Sequence, residues 1–349
     1  MTFTNYLNQV TPYVPSERSN CATDCNLDWN EGFANTSPIL AELKQALTLN
    51  DIPLNLYSDP DYRTLHEAAR EFYLPRSCSY AQVLSFPGSD AGIAAVARAF
   101  IGPGDLVLVP VPSYDNAILE FDAQGANLEF YDFFCENQFG DFLEVAKLSK
   151  PKLIYLVNPN NPIGYSIGPD KIRDLAKAMP NCIILLDEAY IEFSSNKSCI
   201  DAIKDCENLV ITRTMSKAFS LASIRVGWLI SSPVVAGVVA KIRNSKCISR
   251  ISELIASSAL KHYGYMAEFV REIELQRASI LQLFDVLKLK HYKSDANFVL
   301  FCDETGGIQR RLAGAGLSFR DRSKQMMSPG WCRLTLNPRV DLPEIIKNS

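Results

Sequence analysis

Histidine is scarce in this chain, and the ligand spacing of a metal centre is missing with it. Only three histidines occur among 349 residues, and none stands at ligand spacing from another, which argues against a zinc-type site. No stretch approaches the ~18 consecutive apolar residues that a membrane-spanning helix needs. The opening MTFTNYLNQVTPYVPSERSN has neither a basic n-region nor an apolar h-region. No signal peptide is read there, and a cytoplasmic location is expected. An excess of one charge is also missing. The 35 Lys and Arg face 39 Asp and Glu, a net charge of −4, with no long block of like sign. This speaks against nucleic acid or an anionic membrane as the main partner. Internal repeats and low-complexity tracts are absent.

What is present is an ordinary globular balance, 47% hydrophobic and 21% charged, over a length sufficient for a large core and a satellite. Ten cysteines invite a search for disulfides or metal. The closest pair, Cys21 and Cys25, has no matching second pair. Cys182 and Cys302 sit inside apolar runs, where a reduced cysteine behaves as a small hydrophobe. Structural free thiols are expected.

Short apolar runs recur, each ending in polar or Gly/Pro residues: 81–90, 105–114, 152–162, 182–190, 208–217 and 226–231. Continuous rather than alternating apolarity suits strands buried on both faces. Helix-like segments lie between them, at 92–101, 170–179 and 234–243. Strand, polar loop and helix in repetition is the α/β pattern of a mostly parallel sheet. In such sheets ligands bind beyond the carboxyl ends of the strands. Ser89, Asp90, Tyr114, Asn161, Asp187, Tyr190 and Lys217 all fall at such ends. From about residue 250 the texture changes. A long helical stretch over 252–289 leads to ANFVLFCD, a Gly-rich turn and WCRLTLN, which reads as a smaller α+β domain. The division expected is an N-terminal arm over 1–35, a large domain over 36–250 and a small domain over 251–349.

Asp187 closes the apolar run CIILLD. A buried carboxylate there needs a cation or several donors, although Asp187-Glu188 alone also reads as a helix N-cap pair. Lys217 follows the run LVITRT, with the hydroxyls of Thr214 and Ser216 beside it and Arg225 eight residues on. Arginine matches a phosphate's bidentate geometry. Gly88-Ser89-Asp90 ends one strand and opens a helix, where free backbone N–H groups make an anion site or a plain cap. Tyr114 suits stacking on a flat ring, or core packing. Together these groups meet the needs of pyridoxal 5'-phosphate: a lysine for its aldehyde, an acid for its ring nitrogen, and N–H groups with a cation for its phosphate.

Three blocks carry a closer likeness. PNNPIG (159–164), DEAYIEF (187–193) and TMSKAFSLASIR (214–225) resemble the signature segments of fold-type I pyridoxal-phosphate aminotransferases, and more narrowly those of histidinol-phosphate aminotransferases. The likeness runs from TPY (11–13) to RLT (333–335). It implies a three-layer α/β/α sandwich of the aspartate-aminotransferase type, and a transaminase with Lys217, Asp187 and Tyr190 as catalytic residues. Asn161 and Tyr190 bond the cofactor's phenolic oxygen, and Tyr114 stacks on its ring. Ser89, Asp90, Thr214, Ser216 and Arg225 hold its phosphate. Tyr57, in LYSDP, resembles a tyrosine that reaches the phosphate from a partner subunit, which implies a homodimer with shared active sites. Arg333 resembles the arginine for a substrate carboxylate and Arg320 the one for a substrate phosphate. Without the likeness, Arg320 reads as a solvated loop residue. Tyr13 and Asn30 resemble residues near the substrate.

The reaction implied is a ping-pong transfer between a small amino acid or amino-alcohol phosphate and a 2-oxo acid. A decarboxylase of the same fold, a specialised biosynthetic enzyme acting on an unusual amino acid, and a binding protein without turnover are the alternatives. The departures from the likeness cluster where substrate is expected: Ile163, Ser223, the segment after Ile242, and Leu336-Asn337-Pro338.

Overall fold

The structure, a computed structural model, describes residues 26–48, 52–53, 55–74 and 83–347. Seven strands form the larger sheet: β1 (Val83–Phe86), β2 (Leu106–Val111), β3 (Asn127–Asp132), β4 (Leu153–Val157), β5 (Ile183–Asp187), β6 (Leu209–Thr214) and β7 (Gly227–Ser231), in the order β1-β7-β6-β5-β4-β2-β3. From β3 to β6 every neighbouring pair is parallel, and β7 runs antiparallel to both β6 and β1. The central strands are apolar on both faces because helices cover both.

Alternation along each strand separates the two cores. Val107, Val109, Tyr155, Val157, Leu185 and Val210 point to one side, where α3 (Ser89–Phe100), α4 (Asp115–Asp122) and α7 (Pro233–Ala240) pack. Leu108, Ile154, Leu156, Ile184, Leu186 and Ile211 point to the other. That side is covered by α2 (Arg63–Tyr73), α5 (Phe139–Ser149), α6 (Pro169–Ala178) and α8 (Arg250–Lys261), with α1 (Ser37–Thr48) against α8. This is the three-layer arrangement expected.

Two elements differ from the sequence reading. Strand β3 was not anticipated: NLEFYD sits at the sheet edge with no fully buried residue, so it lacks the continuous apolarity of its neighbours. The long helix expected over 252–289 is two helices, α8 and α9 (Gly264–Val286). His262 leaves helical geometry between them, at φ −114° and ψ 41°. The break lets α8 pack on α1 and α2 while α9 covers the smaller sheet.

That smaller sheet is antiparallel throughout, in the order β10 (Arg320–Asp321), β11 (Trp331–Thr335), β9 (Phe298–Cys302) and β8 (Lys290–His291). Beside it lie α10 (Gly307–Gly314) and α11 (Leu342–Lys347). The segment before α1 docks on this sheet. Thr335 donates its backbone N–H to Leu27 O at 2.9 Å, and Leu27 donates its own to Ser318 Oγ at 2.9 Å. The described cysteines are free thiols, and burial pushes the Cys182 thiol up to about 12. No helix among the described residues is long and apolar enough to cross a membrane.

A buried ion network lies directly behind the end of β5. Arg213 donates to Glu188 Oε2 at 3.0 Å and to Glu192 Oε1 at 2.7 Å. Glu188 also accepts from Ser198 Oγ at 2.6 Å and from the Cys199 N–H at 2.7 Å. Replacing Arg213 with Met leaves Glu188 buried without its cation, at a cost of about 3–5 kcal/mol. The expected result is a large drop in the denaturation midpoint of Arg213→Met, partly recovered when Glu188→Gln is added. An unchanged midpoint in the single variant refutes the role.

Candidate active site

The site grows from the end of β5. Asp187 stands in register with Val157 on one side and Thr212 on the other, and is 3% exposed. Thr212 Oγ1 donates to its Oδ1 at 3.0 Å, and the Tyr155 hydroxyl donates to its Oδ2 at 3.3 Å. These donors are neutral. Burial pushes the carboxyl up to about 7, opposed by Thr212 and reinforced by the like charge of Asp90. Consecutive acids thus serve opposite faces: Glu188 turns back to Arg213, while Asp187 lines a cavity of ≈ 490 Å³ above the strand ends.

Tyr190 follows in the next turn. Its hydroxyl accepts from Asn30 Nδ2 at 3.0 Å and from Asn161 Nδ2 at 3.4 Å. Both lone pairs are then engaged, which leaves the O–H to donate. Asn161 Oδ1 accepts from Arg333 Nη1 at 2.7 Å, so one chain of bonds joins the small sheet to the large one. Asn30 adopts φ 54°. Its N–H donates to Thr335 Oγ1 at 3.1 Å, and that hydroxyl donates back to Asn30 Oδ1 at 3.1 Å.

Lys217 sits in the turn after β6. Its Nζ donates to Trp29 O at 2.9 Å and lies 5.8 Å from the centre of the Tyr190 ring. The N-terminal segment crosses this turn so closely that a Cβ on Gly32 would stand 2.3 Å from Lys217 O.

An anion cradle flanks the lysine. Gly88, at φ 84°, opens α3, and Ser89 and Asp90 form its first turn. Arg225, itself at φ 51°, donates to Ser216 Oγ at 3.3 Å, and Thr214 Oγ1 donates to the same oxygen at 3.0 Å. A Cβ on Gly88 would lie 2.6 Å from Arg225 Nη2, and one on Gly227 would lie 2.7 Å from Ser89 N. Two glycines therefore let an arginine and a helix N-terminus converge on the same space. That space suits a phosphate, and Tyr114 forms part of the adjoining wall.

The far end of the cavity is cationic. Arg333 is 4% exposed. Its fork bonds Asn161 and Asp28 O, and its ring-side face lies 5.4 Å from the Phe298 centroid. Burial pulls its pKa down to about 9, and Arg322 and Arg320 add to the effect. Arg320 is the direct cross-strand neighbour of Arg333, and Arg322 stands two residues further along. Arg322 Nη1 lies 3.6 Å from Asp115 Oδ2.

Of the residues singled out from sequence, Ser89, Asp90, Tyr114, Asn161, Asp187, Tyr190, Thr214, Ser216, Lys217, Arg225, Arg320, Arg333 and Asn30 all line this one cavity. Tyr57 does not. It is 76% exposed, with Lys246 Nζ 4.7 Å from its ring centre. Tyr13 lies outside the described residues. Sequence reasoning missed Tyr155, Thr212, Trp29 and Arg322. Strand parity was the available signal for three of them: Tyr155 and Thr212 face the same side as Val157 and Thr214, and Arg322 follows Arg320 at the two-residue step.

Comparison with known proteins adds four findings. The model of the family "Aminotransferase class I and II" matches residues 25–346. The dihydroxyacetone phosphate transaminase of Campylobacter jejuni is 34% identical over 310 residues, 85% of this chain and 83% of that protein. The histidinol-phosphate aminotransferase of Ruminiclostridium cellulolyticum is 31% identical over 338 residues, 94% of this chain and 92% of that protein. Among solved structures, the histidinol-phosphate aminotransferase of Sinorhizobium meliloti in complex with pyridoxal-5'-phosphate superposes with a TM-score of 0.84 at 24% identity, covering 99% of this chain and 97% of that one. The fold is therefore of the aspartate-aminotransferase type.

The Asp187 carboxyl makes a signed prediction for the protein without ligand. Its pKa stands near 3.8 unfolded and about 7 folded, so between those values the folded state holds more protons. Stability then falls as pH rises through that window and is unaffected by this group below it. Urea midpoints of the ligand-free protein should decline across the window, and the decline should flatten in Asp187→Asn. Equal slopes in the two proteins overturn the assignment.

Proposed function

Because the chain belongs to the class I and II aminotransferases, we propose that its cavity binds pyridoxal 5'-phosphate and that its amino substrate is an amino-alcohol phosphate, exchanged against a 2-oxo acid. The observation that carries this is one cavity with a buried acid, a reachable lysine and a glycine-lined phosphate cradle at one end, and a row of arginines at the other. The two relatives above are named for dihydroxyacetone phosphate and histidinol phosphate. What these share is a phosphate ester one carbon from the carbon that carries the carbonyl or the amine. The decarboxylase alternative is not favoured, since both relatives are transaminases.

When bound, the cofactor supplies an aldehyde to capture the amine and a ring to accept the electrons left by a broken Cα bond. The chain's own groups do the rest. Asp187 keeps a proton on the ring nitrogen. Lys217 would hold the cofactor, and its Nζ would serve as the base that takes up the proton of the substrate's Cα and later gives it back. Asn161 and Tyr190 donate to the phenolic oxygen, the latter through the O–H that its two acceptor bonds leave available. The first turn of α3, Thr214, Ser216 and Arg225 hold the cofactor's phosphate, and Tyr114 stacks on its ring. Arg333 orients a carboxylate and Arg320 a phosphate, with Asn30 beside the substrate.

Tyr57 serves the other active site of a homodimer. Its exposure next to Leu56, which is 61% exposed, supports that reading, as does its absence from the lining of its own cavity. Residues 36–250 act as the cofactor-binding domain, 251–349 as the smaller one and 1–35 as the arm. The enzyme works in the cytoplasm.

The first test is the absorption spectrum of the protein with pyridoxal phosphate, for the native chain and for Lys217→Ala. A band from the lysine adduct should appear in the native protein, be lost or shifted in the variant, and bleach with an amino donor. Glutamate, histidinol phosphate and the amine corresponding to dihydroxyacetone phosphate form the donor panel. No band at excess cofactor refutes the roles of Lys217 and Asp187. Carbon dioxide released without an acceptor refutes transfer. A second test targets Arg320→Met. Its kcat/KM for the phosphate-bearing amine should fall about 10- to 100-fold, the range of a lost bond to a charged group, while the glutamate half-reaction is little changed. Equal losses on both substrates remove Arg320 from phosphate recognition.

A further inference from the structure

The roles above use the Asp187 carboxylate but not the two hydroxyls that hold it. Tyr155 stands in the middle of β4, fully buried, with its ring 5.6 Å from that of Phe121. In a run that is otherwise Leu, Ile and Val, only this residue brings a polar atom to the sheet's interior. That atom reaches Asp187 Oδ2 at 3.3 Å, while Thr212 takes Oδ1 at 3.0 Å. Each carboxylate oxygen is therefore gripped from a different neighbouring strand, β4 on one side and β6 on the other. The plane and the direction of the group follow from that grip.

The chemistry of the grip is one-sided. A hydroxyl donor stabilises a carboxylate and not a carboxylic acid. Burial lifts the Tyr155 phenol far above its ordinary range, so it keeps its proton and only donates. Several groups surround the pair. Asp90 of α3 acts on both Asp187 and Tyr155, and Tyr114 at the start of α4 acts on Tyr155. The Ala189 backbone amide donates to Asp187, and Tyr190, Lys217 and Arg225 stand around the same cavity. Burial and Asp90 favour the neutral acid, whereas the two hydroxyls and the amide oppose them.

We propose that Tyr155 is a positioning residue for the transfer reaction: acting through Asp187, its hydroxyl keeps the carboxylate ionised and aimed, so that the proton shared with the cofactor's ring nitrogen stays on the nitrogen. This rests on the reading of Asp187 as the nitrogen's partner. Removing the hydroxyl leaves the packing but moves that proton toward the carboxylate. The ring then withdraws electrons less strongly, and the Cα–H bond breaks more slowly.

The test is Tyr155→Phe, loaded with pyridoxal phosphate labelled with ¹⁵N in the ring. In the native enzyme the ¹⁵N chemical shift should report a protonated nitrogen. In Tyr155→Phe it should move toward the neutral value, with kcat lower by about tenfold, the worth of one donor to a charged group. KM for the amino donor should stay nearly constant, because Tyr155 stands behind Asp187 and does not line the cavity. An unchanged ¹⁵N shift and kcat in folded Tyr155→Phe overturn the proposal. Asp187→Asn separates this from the reading beneath it. If that variant also leaves the nitrogen unchanged, Asp187 is not its partner and the site assignment fails. If Asp187→Asn moves the shift and Tyr155→Phe does not, only the role of Tyr155 fails. Should the Phe variant not fold, 3-fluorotyrosine at position 155 supplies a stronger donor on the same ring. It must leave the ¹⁵N shift at least as far toward the protonated value as in the native chain, and a shift toward the neutral value overturns the proposal.

Discussion

An acid at the tip of a strand that is apolar on both faces is the constraint around which the site is arranged. Asp187 is out of water, and the bonds that steady it come from neutral groups on the flanking strands. Parallel pairing makes this possible. It brings β4, β5 and β6 to the same rim with their ends level, so that residues 155, 187 and 212 meet although α6 separates the first two and a connection with short 3-10 turns the last two. The two-residue alternation of a strand then sends Glu188 to the opposite face, where Arg213 meets it. A neutral cradle for one acid and an ion pair for its neighbour are two solutions to burial, one position apart. The first leaves the acid able to engage a ligand; the second does not.

How much of this was legible in the sequence follows from what each residue had to bury. The strands with unbroken apolarity announced themselves, and the polar residues just beyond them marked the rim. That is why Ser89, Asn161, Asp187, Tyr190 and Lys217 could be grouped from the sequence alone. Edge strand β3 was illegible because half-exposed residues carry no continuous signal. The break at His262 carried a single mark, Gly264 at the start of α9, and the apolar pattern on either side ran past it. It exists because the two halves of the helical stretch pack on different layers, which is a tertiary fact. Tyr155 was illegible for a third reason: an aromatic residue in a core strand looks the same whether its hydroxyl is idle or engaged. Tyr57 was legible only through likeness to a family, since its own surroundings are solvent and Lys246.

The arginine row shows a similar division between pattern and place. Arg320 and Arg333 come from strands paired antiparallel, and direct cross-strand placement of like charges is unfavourable unless something anionic intervenes. Arg333 gives one N–H of Nη1 to Asn161 and one of Nη2 to Asp28 O, which ties the cationic end of the cavity to the Tyr190 end. The smaller sheet is therefore part of the machinery and not a cover over it.

The segment at residues 27–32 has a consequence for the order in which the protein is made. Trp29 O receives Lys217, Asn30 bonds Thr335, and Leu27 joins the same strand. The first described residues of the chain are thus completed by a strand that ends only at residue 335. Until residue 335 has been made, the segment has no strand to pair with and the pocket stays open on that side, so its closure waits for a contact between residues 305 positions apart.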